Sequence, residues 1–125
     1  MDRIGQGHAA ENAAELFLRQ QGCKTLQRNY RCRMGEIDLV VRDGDCLVFA
    51  EVRFRQPGRY GSGAESITHT KRQKLIRSAG YYLRTEKISS HQVCRFDVLS
   101  VGLAKATENS TYDIDWIRSA FRADG

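Results

Sequence analysis

Apolar and polar positions change period several times along the 125 residues, and each change marks an element. From about His8 to Gln21, small and apolar residues recur at helical spacing (Ala10, Ala13, Ala14, Phe17, Leu18), and Gly22 stands where a helix end favours glycine. Residues 1–7 are expected to be flexible. A strand follows within Cys23–Cys32. The segment from Gly35 to Arg42 then alternates, with Ile37, Leu39 and Val41 on one face and Glu36 and Asp38 on the other. Asp43-Gly44-Asp45 is a hairpin turn signal. It leads into Leu47–Arg53, which is apolar on both faces until its end, the pattern of a central strand covered on both sides. Residues 54–68 hold the one proline and three glycines and read as a mobile loop. A helix over about His69–Glu86 would bury Leu75, Ile76, Ala79, Tyr82 and Leu83, leaving Lys71, Lys74, Ser78 and Tyr81 on the opposite, solvent stripe. Val93–Val101 reads as another strand. The tail is expected to add a short edge strand near Tyr112–Ile114 and a helical turn around Trp116–Phe121.

The order α-β-β-β-α-β, with one further strand allowed in the tail, predicts an α/β fold. A three-strand meander followed by a helical crossover gives a mixed β-sheet flanked by helices. The length suits one domain, 1–125. No apolar run of about 18 residues is present, which excludes a membrane-spanning helix, and the N-terminal residues lack the apolar stretch of a secretion signal. The expectation is a cytoplasmic protein. The four cysteines form no CxxC pair and the three histidines are scattered, so zinc has little support and the cysteines read as reduced and structural.

Charge is concentrated in one block. Residues 53–84 carry eight Lys/Arg against the single acid Glu65, while the net charge of the whole chain is +5. A basic block on a folded domain suits a polyanion such as nucleic acid, although a solvated basic helix reads the same way.

Two acids stand where packing favours apolar residues. Asp38 interrupts an apolar strand and Glu51 ends the most apolar one, where a buried carboxylate is costly unless paired or bound to a metal. The hairpin makes their strands neighbours, so the two can converge. Two carboxylates with a backbone carbonyl, that of Val52 being suitably placed, are typical oxygen ligands of Mg²⁺. Such an ion activates water and stabilises charge in phosphodiester hydrolysis. The alternative is a plain salt bridge, for example with Arg53.

The wider pattern adds Glu11 on the first helix, Gln27-Arg28-Asn29-Tyr30-Arg31, Gly35-Glu36-Ile37-Asp38-Leu39 and Val48–Arg55. It continues through Tyr60-Gly61, Lys71 and Lys74, Cys94–Val98 and Trp116–Phe121. In this order and spacing the fragments resemble the YraN family of small bacterial proteins. That family is similar to archaeal Holliday-junction resolvases and to the PD-(D/E)XK nuclease superfamily, with its restriction-endonuclease-like core. The resemblance implies that Asp38 and Glu51 are metal-binding acids, that Glu11 completes the site from the helix, and that Mg²⁺ or Mn²⁺ is the cofactor. It implies a metal-dependent endonuclease acting on structured or branched DNA, working as a symmetric homodimer. Glu36 reads as a partner for a nearby arginine.

One position departs from the superfamily pattern. Arg53 stands where lysine is usual, on the same strand face as Glu51, and arginine cannot serve as a base at neutral pH. Arg53 can still hold a phosphate or stabilise developing charge as part of the catalytic set. Either the metal-bound water needs no lysine, or Lys71 or Lys74 replaces it, or catalysis is lost. Arg55, Arg59 and Tyr60 on the loop, with Lys71 and Lys74 on the helix, are the expected nucleic-acid contacts. They grip phosphates without reading sequence. The competing class is a non-catalytic nucleic-acid-binding module on the same fold.

Overall fold

The computed structural model describes residues 3–55, 67–104 and 111–123, with side chains from residue 8 onward. Helix α1 (Arg3–Gln20) leads into β1 (Lys24–Cys32), β2 (Gly35–Asp43) and β3 (Cys46–Phe54). Helix α2 (His69–Thr85) then crosses to β4 (Cys94–Leu103), and β5 (Tyr112–Phe121) closes the chain. The sheet order is β1-β2-β3-β4-β5, antiparallel except for the parallel β3–β4 pair that α2 connects. This is the expected α/β architecture, a mixed sheet with a helix on each face, consistent with a restriction-endonuclease-like core. Among the described residues, no helix is long and apolar enough to cross a membrane, and all four cysteines are free thiols.

The sheet is covered on both sides, which is why β3 is apolar on both of its faces. Leu39, Val41, Val48, Ala50, Leu99 and Val101 pack against Ala10, Ala14 and Leu18 of α1. The alanines let the helix approach closely. On the other face Val40, Leu47, Phe49 and Phe96 meet Leu75, Ala79 and Tyr82 of α2. Each large side chain buried here contributes about 1.5–3 kcal/mol. The turn between β2 and β3 places Gly44 at φ 60°, the left-handed conformation that glycine tolerates.

The structure departs from the sequence pattern in four places. α1 begins at Arg3 rather than near His8, since Gly5 and Gly7 are poor helix formers and Ile4 alone sets no apolar spacing. On α2, Ser78 is fully buried rather than on a solvent stripe. The hairpin tip at Gly35 lies against it, so close that a Cβ on Gly35 would come 3.3 Å from Ser78 Oγ. The alternation of β2 does not run from Ile37 to Val41, because Ile37 joins the α2-side core and Leu39 the α1-side core.

The fourth departure is the tail, which forms one strand instead of a short strand and a helical turn. Its register against β4 shifts between Phe96 and Val98, which pair with Phe121 and Ile117, and Ser119 takes φ 50° in the resulting bulge. The bulge wraps the fully buried Asp97, whose carboxylate accepts hydrogen bonds from Trp116 Nε1 (2.8 Å), Ser119 N (3.0 Å) and Arg95 Nε. The extra residues switch the strand from one core to the other, so Ile117, Ala120 and Phe121 imitate helical spacing.

Candidate functional site

The site forms where β2 and β3 part. Their ladder runs from Asp43↔Cys46 to Leu39↔Ala50, and the next facing pair would be Asp38 and Glu51. Like charges directly opposite each other disfavour pairing, and the ladder ends there. Val52 N, left without a β2 backbone partner, donates to Asp38 Oδ2 at 2.9 Å. N–H and C=O of one strand residue leave on the same side, so the Val52 carbonyl faces the same opened edge.

β1 takes part in the opening. Arg28 reaches the α1 side, bonding Asn12 Oδ1 (2.7 Å) and Glu15 Oε1 (3.2 Å), whereas Tyr30 stacks edge-on against Tyr82 of α2. Between them Asn29 adopts φ 50°. It lies opposite Asp38, between the Arg28↔Leu39 and Tyr30↔Ile37 pairs. Both strands therefore switch faces at one step, and this turns Asp38 laterally toward β3. With its amide nitrogen facing the acids, Asn29 donates to Glu11 Oε1 (2.9 Å) and Glu36 Oε1 (3.2 Å). Glu36 also pairs with Arg31 at 3.5 Å, as expected of it.

Glu51 is buried and ion-paired with Lys71 Nζ at 2.6 Å. Lys71 is the third residue of α2. Its backbone N–H is held by the N-cap residue Thr68, whose Oγ1 accepts it at 3.2 Å. That cap fixes the first turn over the carboxylates. The two acids lie within hydrogen-bonding reach of each other. Burial first, and then the negative charge of Glu51, push the Asp38 carboxyl up to about 7. Burial, followed by the charge of Asp38, also raises the Glu11 carboxyl. Gly35, Glu36, Asp38, Glu51, Lys71, Lys74 and Leu75 line a pocket of ≈ 180 Å³. A larger groove of ≈ 720 Å³ lies between α1 and β5, but its described lining carries one carboxylate, Asp113, and no basic group.

The residues expected at the site are therefore divided. Asp38, Glu51, Lys71 and Lys74 come together. Glu11 approaches through Asn29 and the field of Asp38, but among the described residues no three His, Cys, Asp or Glu side chains form one metal-holding group. Arg53 is half-buried and meets no described partner, so the ion pair with Glu51 that an adjacent strand residue would make is made by α2 instead. Arg55 is committed elsewhere. It lies over Gly102, with Nη1 on Asp115 Oδ2 (3.1 Å) and Nη2 on Asp113 Oδ2 (3.2 Å). A Cβ on Gly102 would sit 2.6 Å from Arg55 Nη2, so glycine makes room for the guanidinium. Arg59 and Tyr60 lie outside the described residues. Sequence reasoning missed Asn29 and Thr68. An Asn inside a strand and a Thr just before a helix were the available signals.

The model of the uncharacterised protein family UPF0102 matches residues 10–101. The chain belongs to the UPF0102 family. The YraN family is this same family. A UPF0102 protein of Hahella chejuensis is 47% identical over 118 residues, covering 94% of this chain and 90% of that one. One from Pseudomonas aeruginosa is 45% identical over 118 residues (94% and 93%), and one from Nitrosococcus oceani 42% over 119 (95% and 93%). Among solved structures, Pyrococcus furiosus SfsA in complex with Ca²⁺ matches at a TM-score of 0.38 and 16% identity. That match covers 94% of this chain and 64% of the other, and at that score it carries no argument. The matched stretch of this UPF0102 protein contains Glu11, Asp38, Glu51, Lys71 and Lys74.

The donor set fits a hard divalent cation in one respect and not in another. Asp38 and Glu51 are adjacent oxygen donors, Glu51 buried and Asp38 half-buried. The Lys71 ammonium offsets Glu51, and the Asp38 carboxyl is pushed up to about 7, so both a proton and an ammonium can give way to an ion. They do not make a closed cage. Two carboxylates on an open pocket suit Mg²⁺ or Mn²⁺, which keeps several waters, better than an ion that needs every ligand from protein.

Proposed function

We propose that this UPF0102 protein is a divalent-metal-dependent endonuclease-type domain of the PD-(D/E)XK superfamily, acting on structured or branched DNA. The observation that carries the reading is the Asp38–Glu51 pair. Two carboxylates face each other in a pocket at the start of a basic helix, at a cost in burial and repulsion that packing alone does not repay. A pure nucleic-acid binder gains nothing from negative charge where phosphates approach unless a cation lies among them. Asp38 and Glu51 would hold Mg²⁺ or Mn²⁺, with the Val52 carbonyl on the same edge. The ion would supply an activated water and neutralise charge on the phosphoryl oxygens.

The chain's own groups have separable tasks. Val52 N–H holds Asp38 in place. Asn29 tethers Glu11 beside the site. Lys71 and Lys74 line the pocket where a DNA backbone would approach. Arg53, without a described partner, is free to take a phosphate oxygen. Cutting both strands of a junction needs two symmetry-related sites, so the reading carries a homodimer with it.

Cleavage of four-way-junction, flap and linear DNA with Mg²⁺ or Mn²⁺ tests the reading, beside Asp38→Ala and Glu51→Ala. Cutting abolished by both substitutions is expected. Cutting that survives both removes the site. The absence of a base at Arg53 and the existing Lys71–Glu51 pair favour one alternative, a binding module without catalysis. DNA bound but never cut would establish it.

A further inference from the structure

Resting on the metal reading above, we propose that Lys71 is a resident counter-ion of the acid pair, which a divalent cation displaces and thereby frees to hold a phosphate at the pocket mouth. Lys71 Nζ lies 2.6 Å from Glu51 Oε1, one of the oxygens a cation would need. An ammonium and a doubly charged ion on the same carboxylate oxygen repel strongly in a partly desolvated pocket. One of the two has to leave.

The asymmetry of the pair decides which side chain moves. Glu51 is 6% exposed and fixed on β3, whereas Lys71 is 42% exposed on a flexible four-carbon stem. Its backbone stays anchored by Thr68, so the side chain alone swings. Lys74, one helical turn on, lines the same pocket and forms no ion pair with any described residue. A released Lys71 thus joins Lys74 as a pair of ammonium groups facing an incoming nucleic-acid backbone. Cation binding and nucleic-acid binding then strengthen each other, as linkage requires.

The test is calorimetric titration of MgCl₂ and MnCl₂ into the full chain at pH 8.5, where protons compete little for the carboxylates. Wild type, Lys71→Met, Lys71→Gln and Arg84→Met are compared. Lys71→Met should bind the ion about tenfold more tightly than wild type. Lys71→Gln, which still donates to Glu51, should lie between them, and Arg84→Met, which removes an exposed charge from the far end of α2, should match wild type. In anisotropy measurements, the gain in affinity for a four-way junction on adding Mg²⁺ should shrink in both Lys71 variants. Ion binding by wild type that is unchanged or weakened in both Lys71 variants overturns this inference and leaves the metal reading intact. No ion binding by any of the four proteins overturns the metal reading and the inference together. Tighter ion binding with an undiminished junction gain overturns the freed-lysine step.

Discussion

Asp38 performs a task that a backbone carbonyl performs elsewhere in the sheet. Its Oδ2 takes the Val52 N–H where β2 no longer reaches β3. The cost of a charge there is visible in its titration. The folded chain holds the Asp38 proton to about pH 7, against 3.8 for the unfolded group. Between those values the folded state binds more protons than the unfolded one. Stability of the metal-free protein therefore declines as pH rises from about 4 to about 7, and levels off above. In Asp38→Asn the amide oxygen still accepts from Val52 and the charge is gone. Urea denaturation without metal should show Asp38→Asn more stable than wild type by about 2 kcal/mol at pH 8, the gain vanishing toward pH 4. A variant less stable than wild type at pH 8 would show that the carboxylate itself holds β2 and β3 together.

At the scale of elements, the two helices were legible from their apolar spacing, and the first four strands from short apolar or alternating runs bounded by turn signals. Where a strand changes faces, periodicity failed. Ile37 and Leu39 lie two residues apart yet in opposite cores, since Asn29 and Asp38 rotate β1 and β2 together. The β5 bulge made the same error inevitable, because inserted residues shift a two-residue period toward a helical one. The candidate site was legible as two acids on adjoining strands, for burying charge in an apolar strand is conspicuous in any sequence. Lys71 as the partner of Glu51 was not legible as a definite pair, because it depends on where α2 lands 18 residues after β3 has begun to splay. β5 also carries a prediction. Asp97 is the acceptor that organises its bulge, and removing its charge leaves Arg95 with Asp43 alone, at 2.7 Å. Asp97→Asn should cost about 3 kcal/mol or more in urea denaturation. The emission of Trp116, the single tryptophan, should shift to the red as β5 loosens.

On the scale of the whole molecule, the site is a product of the complete fold. β2 and β3 supply the acids, α1 holds Glu11 nearby through Asn29, and α2, the crossover to the parallel strand β4, brings Lys71 in its first turn. An unfolded chain has no such pair, so an ion that binds it stabilises the native state alone. Adding Mg²⁺ in excess of its dissociation constant should raise the melting temperature at pH 8, and Asp38→Asn should abolish the rise. An unchanged melting temperature in wild type would count against a preformed site. The parting of the β2–β3 ladder also gives the molecule a spectroscopic probe of its own. The Val52 amide is the one described backbone donor held by an acid of the pair. In a ¹H–¹⁵N correlation spectrum its resonance should titrate with a midpoint near 7, as the proton leaves Asp38. A divalent ion should move the same peak at constant pH, so one amide would read both the protonation and the occupancy of the site without any substrate.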